Sequence, residues 1–290
     1  MGDADQNRTA IQPDWLLANV PFVSFICEND AFYSMRFLTF GGGAAFGYNV
    51  EDFIDNKHYF AASTTHPEDA DIVDAHAEQA VGGGAPVVSR YRLVQADGMP
   101  VPVLLVSKAV RGASGSIEAL AGVCVDLRGV PALQGPPGLL SQLRVPARQR
   151  PATQRPREID TAWAANELPI TSFFVENDEH FTVRKSYGSV EELLGYSAED
   201  FTNARKYKPA SATHPADVDI ADAYIELASS REGEQVAARL RLVNSDGESV
   251  PVIVFARGAR PPGAEIGVAG GVLDIRHIPA LQGSFGVLGQ

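Results

Sequence analysis

Polar and apolar positions alternate with period two over Val236, Ala238, Leu240 and Leu242, with Arg239 and Arg241 between them, and the pattern predicts a strand with one inward face. The same stretch stands earlier as Val87, Ser89, Tyr91 and Leu93. The likeness extends much further. Trp15 to Gly135 recurs as Trp163 to Gly283 at a nearly constant offset of 148, through Glu28-Asn29-Asp30 and Glu176-Asn177-Asp178, Gly47-Tyr48 and Gly195-Tyr196, Thr65-His66-Pro67 and Thr213-His214-Pro215. Two copies of one unit act as a control on each other: what both keep is structural, and what one keeps is a candidate for function.

Each copy opens on a helical stretch with a tryptophan, then an apolar strand, Phe22 to Cys27 or Thr171 to Val175. Pro67 after Thr65-His66 suits a first helical turn, and Glu68 and Asp69 suit the positive end of its dipole. A helix is therefore predicted over Pro67 to Val81, stopped by Gly82-Gly83-Gly84. Strands follow at Val87 to Val94, Val101 to Lys108 and Ala119 to Asp126, the first two joined by a hairpin turn at Asp97-Gly98.

Composition narrows the class. A length of 290 residues at 45% hydrophobic content suits two domains, residues 1–140 and 159–290, with a linker over 141–158. No run of 18 apolar residues occurs and the N-terminus is acidic and polar, so neither a membrane span nor a secretory signal is expected, and the reading is cytoplasmic. A net charge of −12 argues against a general nucleic-acid surface. The linker opposes that trend with Arg144, Arg148, Arg150, Arg155 and Arg157 among prolines, and reads as a solvated, semi-extended segment rather than a nucleic-acid arm. Cys27 and Cys124 become Val175 and Val272 in the second copy, as small core residues would.

Gly-Tyr-x-x-Glu-Asp-Phe, His-Pro-x-Asp before the long helix, Arg-x-Arg-Leu-Val-x-x-Asp-Gly in the hairpin and, at the end, Gly-Val-x-x-Asp-Leu-Arg in the first copy with Gly-Gly-x-x-Asp-Ile-Arg in the second together resemble the PAS fold. The resemblance implies an α+β chain of two tandem PAS domains, each a five-stranded antiparallel sheet with short helices on one face. Homodimerisation is implied by the same analogy.

Fold does not give function, and the differences between copies say more. Ile72, His76 and Ala80 share a helix face, matched by Ile220, Tyr224 and Ala228, so a histidine points inward where the other copy has tyrosine. On the sheet, Ser89 replaces Ala238, Tyr91 replaces Leu240 and, by hairpin register, Ser107 replaces Ala256. Buried hydroxyls in an apolar wall imply a bound ligand or water, or else bonds to local backbone. His66 and His214 stand in both copies and read as helix caps, His58, replaced by Lys206, reads as a polar-loop residue near Tyr59 or one at a pocket mouth, and His180 and His277 fall in segments of surface character. The runs Gly41-Gly42-Gly43 and Gly82-Gly83-Gly84 lack a phosphate-loop ending and read as turns.

A helix histidine aimed at the sheet resembles the axial ligand of heme-binding PAS domains. The resemblance implies one heme b per chain, in the first domain, with His76 as the iron ligand, Ile72 beside it, and Leu105, Ser107, Leu120 and Gly122 on the distal side, Gly122 leaving room for a ligand on iron. With only Ser284 to Gln290 after the second copy, the expected roles are an enzyme working at the heme or a free-standing gas or redox sensor acting through a protein partner, with a cofactor-free interaction module as a third. The enzyme reading is similar to the bacterial heme-dependent N-nitroglycine lyases, which release nitrite from a small nitramine. It implies Ser89, Tyr91 and Ser107 as hydrogen-bonding catalytic residues and a small-molecule substrate in place of a diatomic gas.

Overall fold

A computed structural model describes residues 11–41, 45–112, 114–141, 159–179, 181–188, 190–202 and 209–289. The arginine-rich linker, Gly42, Gly43 and His180 lie outside the described residues.

The first copy runs α1 (Pro13–Asn19), β1 (Val23–Glu28), β2 (Met35–Phe40), α2 (Ala70–Gly82), β3 (Val87–Val94), β4 (Pro100–Arg111), β5 (Ile117–Asp126) and β6 (Gly138–Leu139). Its strands form one antiparallel sheet in the order β2-β1-β5-β4-β3-β6. The second copy repeats it with α3 (Thr161–Glu167), β7 (Thr171–Glu176), β8 (Val183–Tyr187), α4 (Val190–Leu194), α5 (Ala198–Phe201), α6 (Pro209–Ala212), α7 (Val218–Ser230), β9 (Val236–Val243), β10 (Ser249–Ala259), β11 (Gly267–Asp274) and β12 (Gly286–Leu288). Its sheet order is β12-β9-β10-β11-β7-β8. The α+β class and the tandem arrangement stand as expected, with six strands per sheet instead of five. The sixth strand is short, two residues in β6 and three in β12, and returns to the free edge of the hairpin.

Local chemistry accounts for the elements. Pro13 occupies the first turn of α1, where a missing N–H costs nothing, and the Asp160 carboxylate accepts from Trp163 N at 2.7 Å to cap α3. His66 Nδ1 accepts from Glu68 N at 3.3 Å and His214 Nδ1 from Ala216 N at 3.2 Å, so these two histidines cap as predicted. The segment predicted to be helical from Pro67 splits into a 3₁₀ turn, Pro67–Asp69, and α2 proper. That break turns the Asp69 carboxylate onto β3, where it accepts from Arg92 N at 2.7 Å and Arg92 Nε at 2.9 Å. Asp217 holds Arg241 N and Nε the same way, both at 2.8 Å. The hydrogen bonds from arginine hold both carboxyls below the usual carboxylate range. Gly98, with φ +85°, makes the tight hairpin turn that a side chain would strain.

Each sheet has two covered faces. Toward α2, the first sheet packs Val23, Tyr91, Leu93, Val103 and Leu105 in one cluster and Cys27, Val87 and Leu120 with Ala80 in another. Its opposite face, Val88, Leu104, Val106, Val123 and Val125, joins Ala237, Ile253, Phe255 and Ala269 of the second sheet in one core, closed by Leu16 and Leu17 of α1 and Ala165 with Leu168. Trp15 stands edge-on to Phe174 at 5.2 Å between centroids, and Gln235 Nε2 donates to Asp126 O at 3.2 Å. The two domains thus share a core.

Candidate ligand cavity of the first domain

Between α2 and the sheet of the first copy lies a cavity of about 120 Å³. Val73, His76 and Ala77 face it from the helix, Tyr91, Leu105, Ser107, Leu120 and Cys124 from the sheet, and Tyr33, Phe46, Tyr48 and Phe53 from the connecting segments. Spacing of three and four on α2 places Val73, His76 and Ala77 on one face. No aspartate, glutamate, lysine or arginine lines the cavity among the described residues.

His76 is 2% exposed and its Nε2 lies 2.7 Å from Ser107 Oγ, across the gap between helix and sheet. Nδ1 is buried without a hydrogen-bond partner. Burial pushes the imidazole pKa down to about 3, so the ring is neutral at physiological pH. The Tyr91 hydroxyl pairs with the Cys124 thiol, and burial raises the pKa of both. Cys27 is likewise pushed up to about 12 by burial. Every titratable wall group for which a shift is resolved is thereby uncharged near neutrality.

Measured against the sequence reading, His76, Tyr91, Leu105, Ser107 and Leu120 come together around the cavity. Three residues do not. Ile72 is half-buried against the Tyr91 and Leu93 cluster, and Val73 takes the lining position. Ser89 is fully buried but absent from the wall, its hydroxyl without a partner beside Leu105 and Leu139. Gly122 opens no space for a ligand. Added there, a Cβ would run into the Phe25 ring, which covers the glycine from β1, and Phe173 covers Gly270 in the second copy likewise. A pairing kept by both copies is structural. His58, by contrast, is a surface residue with its Nδ1 2.8 Å from Asp52 Oδ1, and His277 is exposed.

In the second copy Tyr224 stands where His76 does and is buried among Phe173, Val183, Leu193, Leu240, Val254 and Ala256. Register confirms the correspondence of sheet residues, since Val87 pairs with Ser107 and Val236 with Ala256. One feature could not be read from strand alternation: the aromatic wall of Phe46, Tyr48 and Phe53 comes from the segment between β2 and α2. Tyr48 donates to Val94 O at 2.9 Å, as Tyr196 does to Asn244 O at 3.3 Å, so its ring position is fixed by the fold.

A family model described as PAS fold matches residues 42–124, and one described as PAS domain matches residues 170–277. Among solved structures, the chain is similar to the N-terminal domain of a diguanylate cyclase with PAS/PAC sensor from Marinobacter aquaeolei, at 23% identity over 37% of this chain and 94% of that one, TM-score 0.32. It is similar also to an RNA-binding light-oxygen-voltage receptor, at 13% identity over 90% of this chain and 97% of that one, TM-score 0.34. A third is the PAS-B domain of Drosophila melanogaster Cycle with bound ethylene glycol, at 13% identity over 36% of this chain and 98% of that one, TM-score 0.32. At such scores these likenesses bear on neither ligand nor partner. No curated protein matches the chain. Among the described residues no helix is long and apolar enough to cross a membrane.

Proposed function

The chain consists of two tandem PAS domains, and from that premise we propose that it is a sensory or signalling protein whose first domain binds a small ligand while the second serves as its structural partner. One observation carries the reading: the same scaffold, built twice, holds a cavity with a neutral, half-bonded histidine in one copy and a buried tyrosine at that position in the other. Ligand binding shifts a conformational balance only through contacts that differ between states. The first sheet offers such a route, because its strands carry cavity residues on one face and the shared interdomain core on the other.

Heme is the second reading, favoured by His76. A buried neutral imidazole on α2 facing the sheet would be a suitable nitrogen donor to heme iron, with Leu105, Ser107 and Leu120 on the opposite wall. The donor suits the group and the space does not: a porphyrin is several times larger than this cavity, and His76 is bonded directly across to Ser107. Bound heme would supply an iron site for a diatomic gas or a nitro group. A nitramine lyase would further need a cation for the substrate carboxylate, which the described lining does not provide. The sensor reading therefore stands ahead of the enzyme.

Titration of the full-length protein with heme, read by absorption spectroscopy, separates these readings. No sharp Soret band, or one unchanged by His76→Ala, is expected if the cavity serves a smaller ligand. One equivalent of heme held through His76 would establish the cofactor, and nitrite release from N-nitroglycine by that complex would restore the enzyme.

A further inference from the structure

The ligand-binding role proposed above leaves the ligand's chemistry open, and the cavity wall narrows it. Three properties converge. Its volume, about 120 Å³, is close to the ~150 Å³ of dry engineered cavities that take up benzene, so it suits a molecule of one six-membered ring. The wall is aromatic and aliphatic with no charged side chain among the described residues, so an ion entering it would lose hydration without a counter-charge. Most polar wall groups are already occupied. The Thr64 hydroxyl donates to Ala61 O at 3.1 Å, Tyr48 to Val94 O, Tyr91 is paired with Cys124, and Ser107 is 2.7 Å from His76 Nε2. Among the fully buried side-chain nitrogen and oxygen atoms of the described lining, His76 Nδ1 is the one without a partner.

We infer that the first domain takes an uncharged, single-ring aromatic ligand carrying one hydrogen-bonding group, which completes the bonding of His76. Either tautomer serves. With the proton on Nε2, donated to Ser107, Nδ1 accepts from a ligand O–H or N–H; with the proton on Nδ1, it donates to a ligand oxygen. Edge-to-face contact with Phe46, Tyr48 and Phe53 accommodates a flat ring. The inference rests on the ligand-binding reading of the preceding section.

Calorimetric titration of the full-length chain with phenol, toluene, benzoate, benzyl alcohol and benzylamine tests it, because these probes vary charge and hydrogen bonding at nearly constant size. Phenol is expected to bind ~5-fold more tightly than toluene, the worth of one ordinary hydrogen bond. Benzyl alcohol should bind, whereas benzoate and benzylamine should not at concentrations that saturate phenol. In His76→Leu the phenol-to-toluene ratio should fall to about one with toluene still bound, and Leu105→Trp, which fills the cavity, should abolish both. Benzoate binding as tightly as phenol, or a ratio unchanged in His76→Leu, would overturn the ligand class and leave the ligand-binding role intact. So would one equivalent of heme displacing phenol. Absence of binding by every probe, heme included, would end both.

Discussion

Acid should destabilise this protein through His76 well before its carboxylates titrate. The native imidazole titrates at about 3 and an ordinary one at 6.5, so between these values the unfolded chain binds a proton that the folded chain refuses. The sign follows: stability from neutral His76 is complete above pH 6.5 and declines as pH falls below it, by about 1.4 kcal/mol per unit. At pH 5 the loss is about 2 kcal/mol. The cavity groups facing His76 do not complicate this window, since Cys27, Tyr33, Tyr48, Tyr91 and Cys124 are all pushed up by burial and stay neutral. Asp69 and Asp217, held down by arginine, contribute only below about pH 4. The assay compares urea unfolding of the wild type and His76→Gln at pH 7.5, 6.5, 5.5 and 5.0, by tryptophan fluorescence and circular dichroism. The surface histidines cancel in the difference. The gap between the two proteins should shift by about 2 kcal/mol in the variant's favour from pH 7.5 to 5.0. Parallel pH dependences would refute a buried neutral His76.

Three further outcomes follow from packing. Asp69→Ala removes a carboxylate that accepts from both the backbone and the side chain of Arg92, and should cost ~2 kcal/mol in urea unfolding, with Asp217→Ala matching it in the second domain. Gly122→Ala should cost ~1–3 kcal/mol by forcing the Phe25 ring aside, and Phe25→Ala should relieve most of that cost, so the two changes will be strongly non-additive by thermal unfolding. Trp15→Ala should cost ~2 kcal/mol and separate the unfolding of the two domains into distinct transitions in a calorimetric scan.

Much of this was legible before any coordinates. Period-two alternation put Tyr91 on the inner side of the sheet, hairpin register put Ser107 there, and helical spacing put His76 opposite them, because all three depend only on local geometry. Alternation could not tell that Ser89 misses the cavity, since it reports a face and not where along that face a void opens. Gly122 was misread for another reason. The Phe25 ring that covers it comes from a strand 97 residues earlier in the chain, and only the β1–β5 register brings them together. The Asp69–Arg92 bond was available in principle, as both copies keep the acid and the arginine, but nothing in either element's periodicity joins a helix start to a strand. The short strands β6 and β12 carry no periodic signal at all.

The core held in common by the two sheets has a consequence for how the chain is made. By the time Leu139 leaves the ribosome the first sheet is complete in hydrogen bonds, yet Val88, Leu104, Val106, Val123 and Val125 have no cover from the second sheet. The residues that cover them continue to Leu288, another 149 positions on, which at cellular synthesis rates takes on the order of ten seconds. During that interval the nascent first domain presents a greasy wall to its surroundings. A ligand filling its inner side cannot shield the outer one. Translation speed through the second half, and the chaperones near the exit tunnel, therefore bear on how much of this protein matures.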